Sequence, residues 1–348
     1  MNGDFINALR EIQKEKGISE EVIFDALESA LISSYKKNFG ASQNVEVEMD
    51  RTTGKVKVIA LKEVVEEIDN EYLEISLDEA KQIDDKFQIG DFIKIEITPK
   101  DFGRIAAQTA KQVVIQRIRD AERDVIFDEF INRENEIITG QVQRISKSNV
   151  YIDLGKTEAI LPPVEQIDGE EYNQGDRFKL LILEVKKTTK GPQIILSRSH
   201  PNLVKRLFEL EVPEINDGIV EIFSISREAG SRTKIAVFSK DPNVDPLGSC
   251  VGFKGSRVKV IVDELKGEKI DIVIWSKDIE EFIANSLSPS KVLKVMANEK
   301  EKSAVVVVPD YQLSLAIGKE GQNARLAAKL TNWKIDIKSE SQYKEECE

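Results

Sequence analysis

Apolar residues in the first forty positions recur with the period of an α-helix. Two helices are predicted, Asp4 to Lys16 and Ser19 to Phe39, the second marked by Val22, Ile23, Ala26, Leu27, Ala30, Leu31 and Tyr35. Ser19 suits its N-cap and Gly40 its stop. Short apolar or alternating runs follow. Val45 to Met49 and Lys55 to Ile59 read as a hairpin turned by Arg51-Thr52-Thr53-Gly54, with further strands over Val64 to Ile68 and Phe92 to Ile97. A long helix is then predicted from about Arg104 to Asn132, with a stripe of Ile105, Val113, Ile115, Ile118, Ile126, Phe127 and Phe130. It reads as connector and core helix together. Its charged outer face is either a solvated surface or a docking surface.

From Ile137 to Arg198 the texture changes to five short strands: Thr139 to Ile145, Asn149 to Leu154, Ala159 to Leu161, Arg177 to Val185 and Gln193 to Ser197. Gly155, Pro162-Pro163 and Gly175-Asp176 divide them, and so many strands in so short a span predict a small closed barrel. The elements Gly140-Gln141-Val142, Val150 to Gly155, Gly175-Asp176 and Leu196-Ser197-Arg198 resemble the S1 domain, an OB-type barrel that binds single-stranded RNA. That resemblance implies base stacking on Tyr151 and a contact from Arg198. Ser148 stands where a second aromatic is common, so the implied RNA face is weak, and Tyr151 can equally be read as a core residue of its strand.

After His200-Pro201 a helix over Asn202 to Leu210 precedes strands at Ile219 to Ser226 and Thr233 to Ser239. Val251-Gly252-Phe253-Lys254-Gly255-Ser256-Arg257-Val258 then returns 66 residues later as Ile317-Gly318-Lys319-Glu320-Gly321-Gln322-Asn323-Ala324. Each copy runs into a helix and then a strand, at Lys269 to Ile272 and at Lys334 to Ile337. A lone Gly-x-x-Gly is weak evidence, whereas two copies in matched contexts mark a duplication. A kinase-like phosphate loop is the rival reading, and it is disfavoured because neither turn is followed by the Lys-Ser/Thr pair that would reach nucleotide and magnesium.

The repeats resemble KH domains, and the order of a helix and two strands before the turn and one strand after it is that of the type II KH topology. The resemblance implies that the glycines bring backbone N–H groups and helix N-termini close to phosphates, while a neighbouring groove holds unstacked bases. Candidate RNA-binding residues are Gly252, Phe253, Lys254, Gly255 and Arg257, then Gly318, Lys319, Glu320, Gly321, Asn323 and Arg325. Lys254, Arg257, Lys319 and Arg325 supply charge. Asn323 meets base edges, Phe253 stacks on a base or shields the turn, and Glu320 weakens phosphate contact.

The chain has 348 residues and a formal net charge of −12. Residues 1–135 hold 19 Lys and Arg against 29 Asp and Glu, residues 136–200 hold 9 of each, and residues 201–348 hold 22 against 24. An N-terminal third at −10 repels phosphates and suits a basic patch on a protein. No apolar run reaches membrane-spanning length and nothing resembles an export signal, so a cytoplasmic protein is expected. Two cysteines, Cys250 and Cys347, exclude a disulfide framework or multi-cysteine zinc site, and one histidine, His200, argues against a histidine triad. The carboxylates, Asp84-Asp85 and Glu66-Glu67 among them, form no metal-ligand array; no metal, cofactor or enzymatic activity is expected.

An acidic N-terminal domain, one S1 barrel and two consecutive KH domains resemble the NusA family of bacterial transcription elongation and termination factors. The strings Asp101-Phe102-Gly103-Arg104-Ile105-Ala106-Ala107-Gln108-Thr109-Ala110-Lys111-Gln112, Asp241-Pro242-Asn243-Val244-Asp245-Pro246 and Leu313-Ser314-Leu315-Ala316-Ile317-Gly318 sharpen the resemblance. It implies a multidomain α+β protein. An α/β domain over residues 1–132 would bind RNA polymerase, an S1 domain over 137–200 and KH domains over 202–276 and 277–340 would carry nascent single-stranded RNA, and an acidic tail would occupy 341–348. Other antitermination factors are implied partners. With only about ten residues after Ile337, no masking domain over the RNA surface is expected. A non-catalytic RNA-binding factor of ribosome assembly or translation is the alternative, and it leaves the acidic third unexplained. Polynucleotide phosphorylase carries these modules in the opposite order, behind catalytic domains for which the chain lacks room.

Overall fold

The computed structural model describes residues 6, 11, 19–39 and 44–347, so the helix expected over Asp4 to Lys16 and its neighbour's stop at Gly40 lie outside the described residues. The chain forms two compact units, one up to Val125 and one from Ile126 onward.

In the first unit, helix α1 (Glu20–Phe39) turns Ile23, Phe24, Leu27, Leu31 and Tyr35 inward, as its periodicity requires. Strand β1 (Val45–Met49) buries every second residue and pairs antiparallel with β2 (Val56–Val65). Asp50 holds their turn, accepting from the N–H groups of Thr52 at 2.8 Å and Thr53 at 2.9 Å. The Thr52 hydroxyl and these N–H groups hold its carboxyl below the usual range. Strand β2 is longer than the sequence suggests because it changes partner along its length. It takes β4 (Phe92–Glu96) antiparallel and, at its end, β3 (Glu74–Ser76) parallel. Val64 and Val65, expected to open a separate strand, therefore finish β2. The short helix α2 (Leu77–Ile83), capped by Ser76, has too few turns to show a period in the sequence. Together these last elements enclose a small core of Val64, Ile75, Ala80 and Ile93.

Helix α3 (Phe102–Ile131) packs Ile105, Val113, Ile118, Ile126, Phe127 and Phe130 of the predicted stripe inward, with Ile115 the exception, and its most buried row in the first unit is one the sequence did not mark. That row is Phe102, Ala106, Ala110 and Val114, while Ile115 is 40% exposed. Alanines let the helix sit close to its neighbours, and a search for large apolar residues passes over them. Its last turn brings Phe130, with Ile126, Phe127 and Ile131, into a core of the second unit, so the contact boundary precedes the expected limit at residue 132.

The second unit begins with a closed barrel of β5 (Ile137–Ser146), β6 (Asn149–Asp153), β7 (Glu158–Leu161), β9 (Gly191–Ser197) and β8 (Arg177–Thr188), in that spatial order. Gly140 is needed where β5 crosses β6, since a Cβ there would lie 2.2 Å from Cγ2 of Ile152.

Two similar α+β repeats follow. The first contains α4 (Pro201–Glu211), α5 (Pro213–Asn216), β10 (Val220–Glu228), β11 (Arg232–Ser239), α6 (Pro246–Val251), α7 (Ser256–Glu264) and β12 (Lys269–Ile274). The second contains α8 (Ile279–Ser286), β13 (Lys294–Asn298), β14 (Ser303–Val308), α9 (Leu313–Ile317), α10 (Gln322–Thr331) and β15 (Lys334–Ser339). In each sheet an antiparallel pair is extended by a parallel third strand, β12 beside β11 and β15 beside β14. The segment read as an acidic tail is helical, α11 (Glu340–Cys347). His200 accepts the Asn202 N–H at Nδ1, 3.1 Å away, and so caps α4. Phe282 of α8 and Leu330 of α10 pack with Ala236 and Val273 on the first sheet, so the second repeat's helices cover that face.

Candidate nucleic-acid interface

Each repeat places its Gly-x-x-Gly between two helices. Asp245 starts α6 by accepting from the N–H groups of Leu247 and Gly248, both at 3.0 Å. The helix ends at Gly252, with φ 73° and ψ 175°, and α9 ends at Gly318, with φ 77° and ψ 173°. Only glycine enters this region readily. Two residues on, Lys254 (φ 51°, ψ 31°) and Glu320 (φ 52°, ψ 28°) both adopt the left-handed conformation. A non-glycine residue there costs about 1 kcal/mol, so the turn imposes this geometry whichever side chain it carries. Gly255 and Gly321 complete the turns at φ 78° and 73°, and α7 and α10 start with no side-chain cap. The N-terminal N–H groups of those helices thus lack the side-chain acceptor that usually covers them.

Phe253 is 81% exposed, and Lys254, Lys319 and Glu320 also face solvent. A Cβ at Gly255 or Gly321 would meet nothing closer than 4.0 Å, leaving the outer side of both turns open. The other two glycines are packed. A Cβ on Gly252 would lie 2.7 Å from the Arg257 side chain, and one on Gly318 would lie 2.8 Å from the Asn323 backbone nitrogen. A groove of about 470 Å³ lies between α6, β12 and the second repeat, with Leu247, Ile272, Ile274, Asn285, Ser290 and Lys291 on its walls. It joins apolar walls to a few polar groups, a surface suited to unstacked bases.

The remaining candidates are engaged by other groups of the chain, Arg325 while still exposed to solvent. Arg257 is ion-paired to Glu214 at 2.9 Å and donates to the Ser249 carbonyl at 2.6 Å. Arg325 pairs with Glu228 of the first repeat at 2.6 Å and donates to the Glu320 carbonyl at 3.0 Å. Hydrogen bonds from Arg325 and Gln322 hold the Glu228 carboxyl below its ordinary value against the opposing effect of partial burial. Asn323 corrects the sequence reading: it is 1% exposed, and its amide donates to the carbonyls of Leu287 and Ala316 at 3.1 and 2.9 Å. It ties α10 to the chain before it and cannot reach a base.

Arg198 is the second correction. It is fully buried where the barrel meets the first repeat, bonded to Glu170, to Glu264 at 3.2 Å and to the carbonyls of Lys179 and Glu264 at 2.9 and 3.0 Å. Beside it Arg227, with a fully buried side chain, pairs with Glu268 at 2.8 Å and donates to the carbonyls of Arg198 and His200. Burial pushes the Glu268 carboxyl up, but Arg227, the Thr233 hydroxyl and the Gly230 N–H outweigh it and leave the group below its ordinary value. These charges join the barrel to the repeats.

Tyr151 is half-buried on β6, and its ring is occupied: the Arg144 guanidinium lies 3.5 Å from the ring centroid, held by Glu158 at 2.8 Å. The sequence reading missed Arg144, although a signal existed. The strands are joined by a two-residue turn at Lys147 and Ser148, both with positive φ, and counting outward from it sets Arg144 opposite Tyr151. Nothing local pointed to Glu228, Glu264 or Glu170.

A closed five-stranded barrel followed by two repeats of one α+β topology, each with an exposed glycine turn, defines a multidomain protein of the S1 and KH class, built for single-stranded RNA. Comparison with known families agrees. The S1 RNA-binding domain matches residues 132–199, the NusA-like first KH domain 198–275, the NusA-like second KH domain 279–345 and the NusA N-terminal domain 4–124. The chain belongs to the NusA family. It is 63% identical over 345 residues to the transcription termination/antitermination protein NusA of Halalkalibacterium halodurans, with 99% of this chain and 90% of that protein covered. It is 61% identical to the Bacillus subtilis protein of that name, covering 99% and 93%, and 41% identical to that of Thermus thermophilus, covering 96% and 89%.

Proposed function

We propose that the chain is a transcription elongation factor that docks on RNA polymerase through residues 1–132 and leads nascent single-stranded RNA over the second unit. It thereby modulates pausing, termination and antitermination in the cytoplasm, together with other antitermination factors. The observation that carries this reading is the pair of turns: two exposed loops of matched backbone, each opening an uncapped helix N-terminus beside an exposed lysine, Lys254 or Lys319. Helix N-termini and lysines attract phosphates without reading sequence, and the groove beside α6 takes bases.

The protein acts by binding and makes no covalent bonds. Cys250 lies in the first repeat's core, where burial pushes its thiol up to about 12 and keeps it from acting as a nucleophile. Among the described residues no helix is long and apolar enough to cross a membrane, and no cluster of three or more metal-ligating residues is present. The test is to recover endogenous partners with the full chain and to titrate it with single-stranded RNA. RNA polymerase subunits should be retained; ribosomal particles in their place would support the ribosome-assembly alternative and overturn this reading.

A further inference from the structure

The two repeats cover their sheets unequally. In the first, Ser224, Ala236 and Val273 form a row across β10, β11 and β12 on the face turned away from that repeat's own core. Two helices of the second repeat close this face: Phe282 of α8 and Leu330 of α10 pack on Ala236 and Val273, and the Ser224 hydroxyl donates to the Leu330 carbonyl at 2.9 Å. The corresponding face of the second sheet carries the rows Lys294-Val307-Lys338, Met296-Val305-Asp336 and Asn298-Ser303-Lys334. Ala304, Val306 and Val308 point the other way, into the core shared with α8, α9 and α10. Helix α11 follows β15 as α8 follows β12, and it packs on β14 and β15 with the Tyr343 hydroxyl 3.2 Å from Sδ of Met296. The place that α10 takes on the first sheet is a groove of about 470 Å³ on the second, walled by Met296, Asn298, Ser303, Val305, Lys334 and Asp336. The side chains differ to match. Asp271 and Asp336 stand in equivalent Lys-Ile-Asp-Ile strings; opposite Asp271 is Lys234, fully buried and paired with it at 3.0 Å, whereas opposite Asp336 is Val305, only half-buried. Where the first repeat seals an ion pair under a fixed cover, the second presents apolar surface in an open groove.

We propose that this groove binds an acidic amphipathic α-helix of a partner protein, laid beside α11 as α10 lies beside α8 on the first sheet. The first sheet shows which element such a face takes, a helix presenting a large apolar side chain. Charge sets the rest. Residues 294–303 and 334–339, which form the face and its hairpin, hold five lysines against Glu299, Glu301 and Asp336, a net charge of +2. Helix α11, the cover already in place, holds three glutamates against Lys344, a net charge of −2. In a second copy of the chain the helices that fill this role, α8 and α10, are already packed on their own first sheet. Single-stranded RNA finds no aromatic ring among the groove's walls on which to stack a base. The groove lies on the face opposite the core that holds α9 and α10, so a helix bound there leaves the Gly-x-x-Gly turns open to RNA.

The test uses the full chain with labelled methyl groups and a synthetic helical peptide of about 15 residues, with Phe and Leu along one face and glutamates around them. Adding the peptide should shift the methyl resonances of Met296 and Val305 and leave that of Val273, under its fixed cover, unchanged. Met296→Ser with Val305→Ser should weaken binding on the order of tenfold. Lys334→Glu changes an exposed rim residue that the fold does not need, and it should weaken binding several-fold at low salt, with the difference fading as salt rises. A twin peptide with lysines in place of the glutamates should bind more weakly than the acidic one. Affinity for single-stranded RNA should be the same with and without the acidic peptide. Unshifted Met296 and Val305 methyls, or wild-type peptide affinity in both variants, overturns the proposal. Equal binding of the two peptides removes the acidic partner. Displacement of the peptide by RNA, or concentration-dependent shifts at Met296 and Val305 in the chain alone, would assign the groove to RNA or to a second copy and likewise overturn it.

Discussion

The first turn, Gly252 to Gly255, and the second, Gly318 to Gly321, agree in backbone to within a few degrees, yet their surroundings differ. Around the first, Arg257 is held within its own repeat by Glu214, and exposed Phe253 and Lys254 face outward. Around the second, Arg325 and Gln322 reach across to Glu228 and Ser231 of the first repeat, and Glu320 takes the place of Lys254. The duplication kept what the backbone needs. It released the side chains, and the second copy uses two of them to bind the first. On charge alone the first turn is the stronger phosphate site, and the second is both a contact and a joint.

The largest expected effect is on RNA affinity. Gly255→Asp and Gly321→Asp put a carboxylate on the open side of each turn, where a Cβ meets nothing nearer than 4.0 Å, so the cost to folding should be confined to the positive-φ strain of about 1–2 kcal/mol and the domain should still fold. Each change should weaken single-stranded RNA binding by about 1–3 kcal/mol through repulsion and blocked backbone approach. The first should exceed the second, and the pair together should lose more than either. A double variant that titrates like wild type would remove the assignment of both turns.

Next comes stability. Gly318→Ala drives its Cβ against backbone at Asn323, whereas Gly252→Ala meets the flexible side chain of Arg257. The former should cost about 3 kcal/mol and the latter about 2, read from urea unfolding of the second unit's transition. Equal losses would show that dihedral strain alone sets both.

Charge exchange tests the asymmetry more finely. Glu320→Lys should tighten RNA binding by roughly fivefold and steepen the salt dependence by about one counterion. Lys254→Glu should do the reverse. If Glu320→Lys leaves the salt slope unchanged, the second turn does not touch phosphate.

The smallest effect belongs to the barrel. Arg144→Ala should uncover the Tyr151 ring, with a change in overall RNA affinity under about threefold, because stacking gained offsets a cation lost. Ultraviolet crosslinking of RNA to Tyr151 should strengthen; an unchanged crosslink would mean that Arg144 does not guard the ring.

Much of this molecule was legible locally. Five barrel strands, the paired helix-turn-helix contexts and the glycines could be read because their signals, period and turn chemistry, extend over fewer than about ten residues. The partner change along β2 was hidden, since a strand's sequence does not record which neighbour each half takes. The inward row of α3 was hidden because Ala106 and Ala110 carry little hydrophobic signal although they fit the closest contacts.

The candidate site divides in the same way. Sequence alone determined where the two turns lie, that both need glycine, and that Phe253, Lys254, Lys319 and Glu320 would occupy their middle positions. Tertiary structure alone decided which charged or polar residues remain open to RNA. Arg198 meets Glu264, 66 residues away, and is buried; Asn323 meets the carbonyl of Leu287, 36 residues away, and is buried; Arg325 stays exposed but spends its charge on Glu228, 97 residues away. A cation's availability depends on whether the fold brings an anion to it, and that partner lies beyond the reach of any local pattern.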